Sequence, residues 1–152
     1  MPGESHCSPR EIQHYLGRVS GPLLDRIDLH VEVPTVKFQE ISSDRAGEPS
    51  ARIRDRVVRA RRWQQQRFAG RPRTTCNARM SSRELKVFCP LDDATKELLQ
   101  AAMAELNLSA RAYDRILKVA RTIADLAGAE RVLSEHISEA IQYRSLDRQI
   151  WV

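Results

Sequence analysis

Between residues 109 and 128 the apolar side chains Tyr113, Leu117, Ala120 and Ala124 recur every three or four positions, the stripe of a helix with one buried face. Ser109 offers a hydroxyl to the free N–H groups of the first turn, and Gly128 can take the left-handed backbone that stops a helix. A second stripe, Ile137, Ala140 and Ile141, predicts a last helix over about 134–143, with Leu146 and Ile150 continuing its packing. Upstream, Ser81-x-x-Glu84 is a capping box opening a short helix through Val87 that Pro90 ends. Asp92 or Asp93 then caps a helix running to Leu106. Before these, Ser50 caps a long helix with Ile53, Val57 and Ala60 on one face and arginines over the rest, fading at Gly70-Arg71-Pro72.

The first third is patterned differently. Ser8-Pro9-Arg10-Glu11 is a capping box with proline in the first helical position, so a helix starts there and runs towards Arg18, until Gly21-Pro22 interrupts it. Leu29, Val31 and Val33 alternate with His30 and Glu32 as in a half-buried strand, closed by Pro34. Residues 36–49 are poor in apolar side chains and carry turn signals at Ser42-Ser43-Asp44 and Gly47-Glu48-Pro49, which marks a linker. The division is therefore 1–35, a helix and a strand; 36–49, a linker; and 50–152, an all-α bundle of four to five helices. A lone helix and strand cannot bury their apolar faces or complete a ladder, so the first unit is expected to order poorly by itself. His30 and His136 read as surface residues of the strand and of the last helix.

Composition sharpens this. Aromatic residues are only 5% of the chain, so the core is aliphatic and suits packed helices. The net charge is +5, and its excess lies between Arg52 and Arg73, where nine arginines face one acid, Asp55. Such a stretch suits a polyanion, with Arg59, Arg61 and Arg62 as candidate DNA contacts, although arginine-rich helix faces also serve simply as solvated surface. Three widely spaced cysteines, Cys7, Cys76 and Cys89, argue against a disulfide framework and for a reducing, cytoplasmic setting. No run of residues is long and apolar enough for a membrane span, and residues 1–9 lack the apolar core of a secretion signal. His6, Cys7 and His14 lack a fourth metal ligand, and Cys76 and Cys89 lack paired spacing, so no metal site is assigned; Cys76 reads as a loop thiol and Cys89 as a small buried side chain.

No G-x-x-x-x-G-K-[ST] loop is present to cradle phosphates, nor an apolar strand ending in paired acids to hold magnesium, so this segment alone is not expected to hydrolyse ATP. Yet the run YLGRVSGPLLDRIDLHVEVP at 15–34 resembles the end of the ATPase core in magnesium-chelatase-like AAA+ proteins, the group containing the competence M proteins. LSARAY at 108–113, ILKVARTIADL at 116–126 and HISEAIQYR at 136–144 resemble the C-terminal helices of the same family. The resemblance implies a fragment of a ring-forming ATPase, consisting of the last core helix and strand followed by the helical lid.

On that resemblance Arg26, in Leu24-Asp25-Arg26-Ile27-Asp28, is the arginine finger that reaches a neighbouring subunit's γ-phosphate, with Arg18 as a second interface arginine. Read alone, Arg26 is more simply a surface ion-pair partner of Asp25 or Asp28, and it is the surrounding motif that reverses the preference. Arg111 corresponds to the sensor 2 arginine facing nucleotide in its own subunit. Arg115, taken as a second nucleotide-binding arginine, and Lys118 share its helix face at i, i+4 and i+7, a cationic stripe that also suits plain solvation. Arg111 stands at the positive end of its helix dipole, a poor place for a cation unless an anion docks there. The resemblance further implies ATP and Mg2+ in the parent protein with neither bound tightly by this segment, an ATPase core N-terminal to it, a homo-oligomeric ring, and DNA as the substrate in recombination or uptake. Two alternatives remain: the ATPase subunit of a magnesium-porphyrin chelatase, and a free-standing helical nucleic-acid-binding module.

Overall fold

Pro49, rather than Ser50, occupies the N-cap of the first helix, α1 (Ser50–Arg67), and no side chain caps it. The serine sits one position inside because proline's fixed φ already suits the entry. The computed structural model describes residues 27–38 and 47–144 continuously, together with positions 8, 10, 11, 14, 18, 23, 26 and 42. After α1 come a single 3-10 turn at Asn77–Arg79 and four further helices: α2 (Ser82–Phe88), α3 (Asp93–Glu105), α4 (Ala110–Ala127) and α5 (Ser134–Gln142). The described part is therefore all-α, as the periodicity predicts.

The capping residues act as the sequence indicates. Ser81 and Glu84 form the reciprocal box at the start of α2, Asp92 accepts from the Thr95 amide at 2.8 Å, and Ser109 accepts from the Ala112 amide at 3.1 Å. Such caps contribute about 1 kcal/mol each where they are shielded. At the end of α4 Gly128 adopts φ 78, and Ala129 donates back to the Ala124 carbonyl at 2.8 Å. Asn107 takes the glycine role after α3, at φ 49. Further upstream, Ser8 and Glu11 make the predicted box, with the Glu11 carboxylate accepting from the Ser8 amide at 2.7 Å.

Helix α4 is the hub. It packs against α5, α1, α2 and the 3-10 turn, and α3 closes on α5. Ala112, Ile116, Leu117, Ala120 and Ala124 are buried along it, and Ile137, Ala140 and Ile141 of α5 meet them in one core with Leu85, Leu99 and Val132. Phe68 and Phe88 close the α1–α2 end edge to face, with centroids 5.4 Å apart. Two of the predicted inward faces stay partly outside: Tyr113 of α4 is 39% exposed, and Ile53 and Val57 of α1 are 41% and 44% exposed, since only the second half of α1, at Ala60 and Gln64, is buried.

The predicted strand does not form: among the described residues there is none, and Val31 and Val33 are exposed. An alternating run becomes a strand only where a neighbour completes its ladder. The preceding residues are nonetheless anchored. The His30 amide donates to the Tyr143 carbonyl at 2.8 Å, and the buried Arg144 guanidinium donates to the Ile27 carbonyl at 2.5 Å. His30 is buried by this docking and His136 by the core, so neither is the surface residue its polarity suggested. Burial of His136 is offset through Nδ1, which accepts from the Leu133 amide at 3.0 Å and thereby caps α5. Cys76 is half-buried and Cys89 buried, both as free thiols. The remaining positions named in the sequence, including Cys7, Leu146 and Ile150, and most of the first helix and the linker, lie outside the described residues.

Candidate functional site

A buried polar network fixes α1 on α4. The Arg67 guanidinium grips Asp125 with both nitrogens, at 2.7 and 2.5 Å, and reaches the Asn77 side chain at 3.0 Å. Asn77 in turn donates to Asp125 at 2.8 Å and to Thr122 at 3.1 Å. Arg121 approaches the same carboxylate at 2.9 Å and donates to the Glu130 and Ala129 carbonyls at 2.8 and 2.6 Å. Arg121 is only 1% exposed and Asp125 3%, so desolvation disfavours both charges and each depends on the other. Burial is also the largest influence on the Arg121 guanidinium, lowering its pKa, with the Asp125 charge opposing that. Two guanidiniums share one carboxylate, leaving a net positive cluster beneath the α1–α4 contact.

This network was legible only in part. Arg121 and Asp125 are four apart, and they follow Leu117 and Ala120 around the buried stripe, so the helical period alone places them on the core face. Nothing local announces that Arg67 and Asn77, which are 58 and 48 positions away from Asp125, complete it.

With α1 held, its arginines fall into two groups. Arg56 pairs with Glu48 at 2.7 Å, Arg61 donates to Gln64 at 3.4 Å, and Arg71, just beyond the helix, reaches Glu84 at 3.3 Å and stacks 5.0 Å over Phe88. Arg59 and Arg62 have no ion pair or hydrogen bond among the described residues, and both are exposed. They border a hollow of about 330 Å3 between α1 and the end of α4.

On the other side of α4, Arg115 forms an ion pair with Asp28, two residues beyond Arg26. Together with the Arg144–Ile27 and His30–Tyr143 hydrogen bonds, this pair clamps residues 27–30 to α4 and to the end of α5. The clamp brings together two stretches that the sequence singled out separately. Arg26 stands exposed just before it, in a turn closed by its amide on the Leu23 carbonyl at 3.0 Å. Arg18 is exposed as well, while Arg111 is exposed in the first turn of α4, with no ion pair among the described residues. Lys118 is half-buried and walls an apolar groove of about 440 Å3 with Leu29, Val31, Val119, Ile123 and Tyr143. Arg115 is thus engaged with protein rather than open to solvent. Among the described residues no three His, Cys, Asp or Glu side chains converge as metal ligands, and no helix is long and apolar enough to cross a membrane.

The chain is matched by a family model described as "Magnesium chelatase, subunit ChlI C-terminal" over residues 47–144, and by one described as "Magnesium chelatase, subunit ChlI" over residues 1–41. It is 44% identical over 146 residues to the "Competence protein ComM" of Haemophilus influenzae, covering 95% of this chain and 28% of that protein. It is 39% identical over 145 residues to the uncharacterised YifB proteins of Salmonella typhimurium and Escherichia coli, again over 95% of this chain and 28% of theirs. The chain therefore spans less than a third of these curated relatives. The boundary between the two family matches falls in the predicted linker, and the C-terminal match coincides with the helical bundle. On these grounds the chain belongs to the magnesium chelatase ChlI family and carries its C-terminal helical domain.

Proposed function

We propose that this chain is the C-terminal lid and arginine-finger segment of an AAA+ ATP-hydrolysing motor that works on DNA in the cytoplasm. The observation that carries the proposal is the ion pair between Arg115 and Asp28, which ties the helix bearing Arg111 to the segment bearing Arg26. In a ring with ATP between subunits, Arg111 meets the nucleotide of its own subunit and Arg26 the nucleotide of the neighbour. The described cations suit this arrangement, since Arg111 is exposed at the positive start of α4, where a docked phosphate would offset an otherwise unfavourable placement. ATP would supply the transferable phosphoryl group, and Mg2+ would be held by the ATPase core that the resemblance implies.

In this reading Arg115 is a coupling residue rather than a phosphate ligand. A shift of α4 towards its own nucleotide pulls on Asp28, and with it on the neighbour's arginine. Arg26 and Arg111 suit their roles because guanidinium stays charged and offers a planar fork of donors. DNA as the substrate is supported by the arginine surplus of α1 and by the likeness to a competence protein. The family's name favours a second reading, the ATPase subunit of a magnesium-porphyrin chelatase.

The discriminating experiment is fluorescence anisotropy of labelled branched DNA with the chain and with its Arg59→Ala/Arg61→Ala/Arg62→Ala variant, across a salt series. The variant is expected to bind more weakly, with a log–log salt slope lower by about 2 to 3. Identical affinity and slope would remove the DNA role of α1 and favour the chelatase reading.

A further inference from the structure

Arg59, Arg62, Trp63 and Gln66 are spaced i, i+3, i+4 and i+7 along α1, so they share one face of that helix. All four wall the hollow of about 330 Å3 whose far side is the end of α4, Asp125 to Gly128, with the Asp125 carboxylate already held by Arg67 and Arg121. Trp63 is 37% exposed, so part of its indole is open to solvent. Its ring edge lies 3.7 Å from where Gly128 would carry a Cβ. Trp63 and Gln66 also wall a second hollow, of about 430 Å3, towards Ala129 and Glu130. The indole therefore borders two neighbouring depressions, one flanked by two cations without partners among the described residues and the other by Arg67, Ala129 and Glu130.

We infer that this face of α1 binds single-stranded DNA, with a base stacked on Trp63 and the flanking phosphates on Arg59 and Arg62. This deepens, and rests on, the DNA reading proposed above. Exposed tryptophan beside exposed guanidiniums supplies the two parts that single-strand binding needs, a π surface any base can cover and cations that follow the backbone. The charge balance favours the same ligand: α1 carries seven arginines against Asp55 alone, and the Arg121–Asp125 pair beneath is neutral and leaves that excess in place. Gln66 can both donate to and accept from a base edge, so it orients a base without selecting one. A duplex keeps its base faces covered and can use only the arginines.

The test uses the Trp151→Phe chain, in which Trp63 is the sole tryptophan. Oligo(dT) is expected to quench its fluorescence saturably, and a duplex of equal length is not. Trp63→Leu, which keeps an apolar side chain at this position, is expected to weaken oligo(dT) binding about 5- to 150-fold, with Trp63→Phe recovering much of the loss. Arg59→Ala/Arg62→Ala is expected to lower the single-strand salt slope by about 1.4. Circular dichroism establishes that each variant is folded; if Trp63→Leu is not, quenching of the native indole and the Trp63→Phe variant carry the test. Binding that falls with the arginine variant while Trp63→Leu and Trp63→Phe bind like the parent, or equal quenching by duplex, overturns the stacking site and leaves the DNA reading standing. No binding of single-stranded, duplex or branched DNA overturns both.

Discussion

Replacing Asp125 by Asn removes one charge without changing the side chain's shape, and it leaves two guanidiniums facing an amide. Arg121 is 1% exposed and hydrogen-bonded to two carbonyls that cannot follow it into water, while Arg67 is held by Asn77 as well as by Asp125. Breaking a buried pair by removing one partner costs about 3 to 5 kcal/mol, and here one carboxylate serves two partners, so the upper part of that range applies. A domain of this size has a total stability of about 5 to 15 kcal/mol, so the variant loses a large share of it. At about 4 to 8 °C per kcal/mol, the melting midpoint falls by at least about 16 °C. Urea and thermal unfolding followed by circular dichroism measure this, with Glu48→Gln as the control. Glu48 pairs with Arg56 in the open, both side chains more than 40% exposed, and its loss should leave the midpoint unchanged. An Asp125→Asn stability within about 1 kcal/mol of the parent would refute the reasoning, because α1 would then be held by apolar contact alone.

Other expectations follow from single groups. Hydrogen bonds from the Ser81 amide and hydroxyl, then from Thr74, with Arg71 alongside, hold the Glu84 carboxyl down at about 2. A carboxylate lowered by folding stabilises above its ordinary value of 4.5 and loses that contribution as pH falls towards 2, so urea midpoints should drop over that window and Glu84→Gln should flatten the drop. Burial pushes the Cys89 thiol up to about 11, so iodoacetamide at pH 8 with peptide mapping should label Cys76 in the native protein and Cys89 only after unfolding. Arg144→Ala removes the donor to the Ile27 carbonyl, and hydrogen exchange at the His30 amide should accelerate at least about tenfold relative to α4 core amides, whereas an unchanged rate would show that the clamp does not depend on it.

The helical bundle was readable because its signals are local. Ser81, Asp92, Ser109 and Gly128 each act within one turn of their own position, and the stripe of α4 repeats often enough to identify the buried face. Pro49 displaced Ser50 at the first cap, since the geometry of proline at the entry outranked the capping preference. Ile53 and Val57 looked inward on period alone, but how far a face is covered depends on where other helices run, and both remain more than 40% exposed. The strand failed for the reverse reason: alternation shows what a segment could join, not whether the partner is present. The Arg115–Asp28 pair spans 87 positions, so the sequence could name both residues and still not join them. Arg59, Arg61 and Arg62 looked equivalent in the sequence, yet Arg61 turns to Gln64 while the other two border the Trp63 hollow.

The central claim is that Arg111 acts on the nucleotide of its own subunit while Arg26, joined to it through Asp28 and Arg115, acts on the neighbour's. Mixing Arg26→Ala with Arg111→Ala subunits of the full-length protein tests both halves in one assay of steady-state ATP hydrolysis. Each variant alone should lose at least about a thousandfold in turnover, as removal of a charge-stabilising arginine at a phosphoryl-transfer site does. In randomly mixed rings roughly one interface in four pairs an intact Arg111 with an intact Arg26, so activity should return to about a quarter of the parent's. Wild-type turnover by either variant alone, or no recovery on mixing, would contradict the account.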